Sequence, residues 1–381
     1  MKPVDTGMKD VSKGDIHDYD KILNYFNNRL VKQDYKENYK SITFVTTGII
    51  PYDGGQTTML HLGTLLSLKG YQVYYLSYVP QSTKNMQINA EFNYPGYQGQ
   101  CLAMKSLKSH HSDIWIATLW ESAYIIKNFS GYKMYFVQDY EPYFYPYGDR
   151  YHLAKRTYEL GLHMVSLGPW CAKQIKTNCQ LKSPLDTINF PVEDKDYPYQ
   201  KRNFSSYPTK KEIKLAVYTK FSSSRRAPIN IQITLYNCQK LLKSYGLTLK
   251  INYFGTPQDK QFINGQNLGR LNKKQLNTLY QDSDFGIAPS MTNFSLVPFE
   301  MMSTGLPFID FIEGTGNLFV PKNCCFYTQF NEFEVAKILR QALKNVQQLF
   351  QMTANVKKYL SQISWQKTED NFLKVLQHIN Q

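Results

Sequence analysis

Short apolar runs followed by helix-patterned segments occur in two separate series along the chain, and this alternation limits what it can fold into. In the first series, SITFVTTGII (41–50) reads as a buried strand and Pro51-Tyr52-Asp53-Gly54-Gly55 as a turn. TTMLHLGTLLSLKG (57–70) then has helical spacing and is closed by Gly70, and YQVYYLSYV (71–79) is the next strand. Strands without polar alternation, joined by helices, belong to parallel sheets covered on both faces. Further strands are expected at 113–119, 133–138 and 163–167, with a helix between Gly148 and Gly161. The second series has strands at 214–220, 249–255, 284–290 and 307–311, and helices at 228–244, 273–281, 298–304 and 331–351. The spacing predicts a leading helix over 16–33 and a last amphipathic helix over 367–380.

A chain of 381 residues with 42% apolar content is long enough for two cores. The Pro-, Lys- and Tyr-rich stretch 182–212 reads as the connection between them. The expected organisation is a first α/β unit over 1–200, with 1–40 as a leading helical segment. A second unit follows over 201–360, and 361–381 packs back across the junction. Both units read as Rossmann-like, doubly wound parallel sheets facing a central cleft.

Charge separates the two halves. Residues 1–200 carry 21 Lys and Arg against 19 Asp and Glu, a net of +2. The remaining 23 against 11 give residues 201–381 a net of +12. Such a field attracts phosphates or acidic lipid. The cations are scattered rather than striped, which argues against a nucleic-acid partner. The six cysteines fit no zinc or redox spacing, and vicinal Cys324 and Cys325 read as buried thiols. With no secretory leader and no long apolar run, the expected location is cytoplasmic, with the inner membrane face within reach by charge attraction. The 30 tyrosines suit stacking on sugars or bases, or reflect composition alone.

The run from Pro289 to Pro307 is the sharpest signal: a strand ends, a loop follows, and a helix starts near Pro298. Loop amides and a helix start can cradle a diphosphate, and Glu300 in the first turn can accept ribose hydroxyls. Phe294, Ser295, Leu296, Val297, Pro298, Glu300, Met302, Gly305 and Pro307 resemble the donor site of GT-B glycosyltransferases, in particular glycosyltransferase family 4. The resemblance implies donor contacts from Thr292, Asn293, Phe294, Ser295, Leu296 and Glu300. It departs at Thr292, where that family has the first Glu of a Glu-x7-Glu pair. A second run, Tyr135-Phe136-Val137-Gln138-Asp139-Tyr140-Glu141-Pro142-Tyr143-Phe144-Tyr145-Pro146, is similar to the signature of WsaF-like rhamnosyltransferases, as is the stretch Gly161 to Trp170. Together the likenesses span about residues 41–311.

They imply a nucleotide-diphosphate sugar of dTDP or UDP type as co-substrate, no cofactor and no metal. The acceptor would be a growing or lipid-linked glycan, with rhamnose or another hexose transferred with retention. Lys220, Arg225 and Arg226 would grip the diphosphate, with Lys220 and Arg226 stabilising its departure. Gly269, Arg270 and Leu271 would pack on the nucleobase, or make a plain turn. Gly54 and Gly55 would let the backbone approach the sugar. Asp139 or Glu141, with Asp139 preferred, would orient or deprotonate the acceptor hydroxyl, or cap an amide. His163 would touch the donor or sit satisfied in the core. Tyr140 and Tyr143 would stack on acceptor sugars, or wedge their loop into the core.

Two rivals remain. Asp282-Ser283-Asp284 has the spacing of a metal-binding Asp-x-Asp but precedes its strand, so it reads as a turn. The loss of Glu at 292 would also suit a non-catalytic nucleotide-sugar- or glycan-binding partner of a transferase complex.

Overall fold

The first apolar run forms β1 (Ser41–Thr46), and Asp53 caps the helix that follows, accepting the Gln56 amide at 2.9 Å. That helix is α1 (Gly54–Leu68), and β2 (Gln72–Ser77) returns beside β1 in parallel register, Ile42 opposite Val73. The computed structural model describes residues 27, 29–192 and 195–380. Most of the expected leading helix lies outside the described residues, and residues 29–33 are irregular.

The first series continues with α2 (Thr83–Asn93), β3 (Gln100–Leu102), β4 (Ile114–Ala117), α3 (Trp120–Ile126) and β5 (Tyr132–Val137). It ends with α4 (Asp149–Thr157), β6 (His163–Leu167), α5 (Pro169–Asn178) and β7 (Leu185–Ile188). These seven parallel strands are ordered β3-β2-β1-β4-β5-β6-β7. The stretch expected as pure connection therefore supplies an edge strand, β7, paired to β6 from Met164–Leu185 onward.

The second series forms β8 (Glu212–Tyr218), α6 (Pro228–Ser244), β9 (Thr248–Phe254), β10 (Gln266–Asn267), α7 (Lys273–Asp282), β11 (Phe285–Ile287), α8 (Leu296–Ser303), β12 (Phe308–Phe311) and β13 (Phe326–Thr328). Its six parallel strands are ordered β10-β9-β8-β11-β12-β13. The expected helix over 331–351 is two helices, α9 (Glu332–Lys344) and α10 (Val346–Leu360). Asn345 breaks the run because its side chain accepts the Gln348 amide and starts the second helix.

The last helix, α11 (Trp365–Gln377), lies against the first sheet. Trp365 stacks on His61 of α1 at 3.6 Å, and the Thr368 hydroxyl donates to the Asn189 carbonyl. One apolar layer is shared by both sheets, joined where Phe294 stacks on Phe319 at 5.2 Å and Phe190 meets Phe299 at 6.0 Å. Among the described residues no helix is long and apolar enough to cross a membrane.

Both sheets reverse their winding direction at one gap, between β1 and β4 in the first and between β8 and β11 in the second. Open parallel sheets bind ligands beyond the carboxyl ends of the strands at such a gap. The loops leaving β1, β4, β8 and β11 flank these gaps, and the loop leaving β5 lies next to them.

Candidate functional site

These loops meet across the junction, and Asp139 is at the centre. It follows β5 and is 4% exposed. Its Oδ1 accepts the amides of Tyr140 (2.8 Å) and Asn293 (3.1 Å), and its Oδ2 accepts the Thr292 hydroxyl (2.9 Å) and the Arg225 guanidinium. Three of these four donors come from the second sheet's loops. Asn293 adds a second tie, its side-chain amide donating to the carbonyls of Gln138 (2.8 Å) and Leu167 (2.7 Å). The Arg225 guanidinium also lies over the Phe144 ring at 4.8 Å. The Met291 amide donates to the Arg225 carbonyl at 2.8 Å, which couples the loops after β8 and β11.

Beside this clamp is a concentration of positive charge. Burial lowers the Lys220 pKa, and Arg225, Arg226 and Arg270 lower it further, while the Asp53 carboxylate across the junction raises it. Arg226 is almost fully buried, and burial pulls its guanidinium down to about 10. It remains charged at neutral pH, yet its Nη1 has no hydrogen-bond partner. Ser295 is the N-cap of α8 but makes no side-chain cap, and its buried Oγ is also unpartnered. Buried donors normally find partners. An unpartnered guanidinium nitrogen and hydroxyl, with an ammonium and a helix start on the same loops, suit an anion.

The other expected residues divide into those at the cleft and those withdrawn from it. Gly54 and Gly55 open α1 at the cleft. A Cβ on Gly54 would meet nothing within 4 Å, whereas one on Gly55 would press on Asp53 at 3.3 Å. The Gln138 side chain donates to the Gly55 carbonyl. Gly269 has φ +79°, and its carbonyl accepts the Gly255 amide at 2.8 Å; this turn exposes Arg270 and leaves Leu271 half-buried. Leu296 is half-buried at the start of α8, and Tyr143 is 43% exposed.

Several expectations are corrected. α8 begins at Leu296, two residues before Pro298, so Glu300 lies in its second turn. There its carboxyl sits with Tyr197 and Tyr280, and burial pushes it up to about 7 against the pull of Lys273. Glu141 is sealed in the first core, accepting the Trp120 amide at the start of α3 (2.7 Å) and the Tyr135 hydroxyl (2.7 Å). It caps the start of α3 from within the core and is 2% exposed. His163 starts β6, so it lies at the end of the sheet away from the cleft. Its nitrogens face the Tyr132 hydroxyl at 2.8 Å and Asp186 at 2.7 Å. Tyr140 is fully buried, stacked on Tyr158 at 5.5 Å, and Phe294 is core. Asp139 reaches the cleft, but all its acceptor positions described above serve the second sheet and its own loop. Thr292 is one of its partners.

Asp284 sits at the start of β11, where it pairs with Lys210 and accepts the Lys214 amide; this is the turn expected from its position before the strand. Two residues carried no expected role and matter here. Gln138 was visible inside the matched run. Asp310, on β12, is a buried carboxylate whose two oxygens lack partners; burial pushes it up to about 7, opposed by Arg226. The signal for it was an acid inside an otherwise apolar strand.

Two solved structures share this fold. The Anabaena protein HepE, in complex with UDP and glucose, superposes with a TM-score of 0.69 at 12% identity, covering 90% of this chain and 100% of that one. Sucrose-phosphate synthase from Thermosynechococcus elongatus gives 0.67 at 11% identity, over 89% and 99%. The chain has the GT-B fold. In sequence, 272 residues (69% of the chain) are 25% identical to the O-antigen biosynthesis protein RfbC of Myxococcus xanthus, spanning only 20% of that relative. No protein-family profile matches. At such identities the structural likeness speaks for the GT-B fold itself, two sheets with a cleft between their carboxyl edges, and leaves the chemistry to the residues described above.

Proposed function

We propose that the protein is a glycosyltransferase that moves a hexose or deoxyhexose, with rhamnose as the specific candidate, from a UDP or dTDP sugar to a glycan acceptor. The observation that carries this is a pair of unpartnered buried donors on the two coupled loops of the second sheet: Arg226 Nη1 after β8, near Lys220, and Ser295 Oγ at the start of α8. The unit over 1–200 is the acceptor side and that over 201–360 the donor side, with 361–381 returning across the junction.

In the reaction the bond from the sugar's anomeric carbon to the diphosphate oxygen breaks, and a bond to the acceptor oxygen forms. The ring passes through an oxocarbenium-like state. The diphosphate gains charge as it leaves, and fixed donors aimed at it lower the barrier. Arg226, Lys220 and the first amides of α8 supply them. With Glu141 in the core and Asp139 engaged, the acceptor proton passes to an oxygen of the leaving phosphate, on the same face as attack, which gives retention. No metal is required in this scheme, because the cations are side chains. Asp139 acts as a positioning residue. It holds Arg225 and Thr292 at the cleft, and the incoming diphosphate takes over Arg225 as the two sides adjust. Glu300, half-buried on α8, receives the ribose by exchanging its Tyr197 and Tyr280 contacts for the ribose hydroxyls.

Calorimetric titration of UDP and dTDP into the native chain and into Arg226→Ala tests the reading. Binding to the native chain that falls at least tenfold in the variant supports it. Equal binding by both refutes it. A second reading, a non-catalytic nucleotide-sugar- or glycan-binding protein, is favoured by Thr292 in place of a carboxylate. Release of UDP or dTDP from the matching sugar nucleotide over time separates the two.

A further inference from the structure

The loop from β1 to α1 is unusual in how its backbone is held. Four amide side chains make seven hydrogen bonds to residues 48–52. Gln56 bridges the Gly48 carbonyl (2.9 Å) and the Ile50 amide (2.7 Å). Gln81 takes both polar groups of Ile49, at 2.8 Å each, and Asn89 donates to the same Ile49 carbonyl at 2.7 Å. Asn93 bridges the Ile50 carbonyl (2.8 Å) and the Tyr52 amide (3.0 Å). The last bond holds Tyr52 at φ +62°, a left-handed conformation that an aromatic side chain rarely adopts and that persists only when its surroundings impose it.

This scaffold displays apolar rings to solvent. Tyr52 and Phe92 of α2 are each 47% exposed and meet edge to face at 4.7 Å, with Ile50 and Ile88 exposed beside them. The platform borders the donor side of the cleft. The next residue, Asp53, acts electrostatically on Lys220, and Gly55 touches Gln138.

We propose that Tyr52 and Phe92 form the seat of an acceptor sugar ring, stacked through its C–H face. The inference rests on the transferase reading and names where its second substrate binds. A sugar offers an apolar face and a rim of hydroxyls, so it suits rigid aromatic side chains with amides nearby. A platform ordered in advance loses little entropy on binding. The exposed polar residues flanking Ile88 and Phe92 on this helix face are Lys84, Asn85 and Glu91, of balanced charge. An anionic membrane surface would call for flanking cations, and the chain's positive excess lies in residues 201–381 instead.

The test uses saturation-transfer NMR of the full chain with free oligosaccharides built from rhamnose, glucose and N-acetylglucosamine. Y52A, F92A and the double variant are compared with the native chain, with UDP calorimetry as an independent readout. Signals from at least one oligosaccharide are expected on the native chain. They should weaken about tenfold in the double variant, equivalent to ~1.4 kcal/mol, while UDP affinity is unchanged. Absent signals on the native chain, or equal signals in the variants, overturn the proposal. So does a variant that keeps its oligosaccharide signals but loses binding to phosphatidylglycerol–phosphatidylethanolamine vesicles. Oligosaccharide signals that depend on Tyr52 and Phe92 in a chain that binds neither UDP nor dTDP support the platform and sink the transferase reading alone.

Discussion

Glu141→Gln isolates the most perturbed carboxyl of the first core. Burial, with Glu121 and Asp139 nearby, pushes the Glu141 carboxyl up to about 8, against 4.5 in the unfolded chain. Between those values the folded protein holds a proton that the unfolded chain releases. Stability is therefore highest below pH 4.5 for this group, and falls as pH rises through the window to about 8. Integrated from pH 5 to pH 8, the loss is about 3 kcal/mol. The glutamine of the variant resembles the neutral acid: its carbonyl accepts the Trp120 amide, and its N–H can face the Tyr135 hydroxyl oxygen. It has nothing to titrate. Urea melts at pH 5 and pH 8 should therefore show the native chain losing about 3 kcal/mol more than the variant, or about 6–12 °C in Tm for a cooperative unit of this size. Glu121, Glu300 and Asp310 contribute to both chains, so only the difference is diagnostic. Parallel pH profiles for the two would refute the placement of Glu141 as a buried, protonated cap.

Removing the Asp139 carboxylate leaves Arg225, Thr292 and the Asn293 amide without their acceptor; Asp139→Ala should cost about 3–5 kcal/mol and, by small-angle scattering, loosen the two sheets relative to one another. An unchanged Tm and scattering profile would mean the junction is held without Asp139, by the Phe190–Phe294–Phe319 layer, the Asn293 side chain and α11. Gly168→Ala should destabilise by about 1–3 kcal/mol in a thermal melt, since Gly168 has φ +84° and its Cβ would stand 2.8 Å from both Phe190 and Phe319. His163→Gln should lower Tm while leaving the KM for a sugar nucleotide unchanged, because the residue lies at the far end of β6 from the cleft. A raised KM would restore it to the donor site.

The sequence alone determined the fold class. Apolar runs such as IWIA, and YKMYFV with Lys133 as its one charged residue, bury both faces inside parallel sheets, and the run from Pro289 to Pro307 reads as a strand, a loop and a helix start. Local chemistry of this kind is set by period and by backbone preference, so β6 and α6 fall at the expected residues. β7 escaped because four residues beside a Pro, of which only Ile188 is buried, carry no period of their own; pairing with β6 makes them a strand. The site residues divided for a related reason. Asp139 was preferred to Glu141 and His163 was left open between donor contact and core, since residue type and neighbouring sequence say neither which loop side chain turns inward nor which strand end faces the other sheet. Strand direction decided that: Asp139 leaves β5 at the carboxyl edge and meets Arg225, Thr292 and Asn293 from more than 80 residues away, while His163 enters β6 at the opposite edge. Whether a carboxylate is a base, a cap or a clamp depends on which donors the fold brings to it, and those donors are distant in sequence.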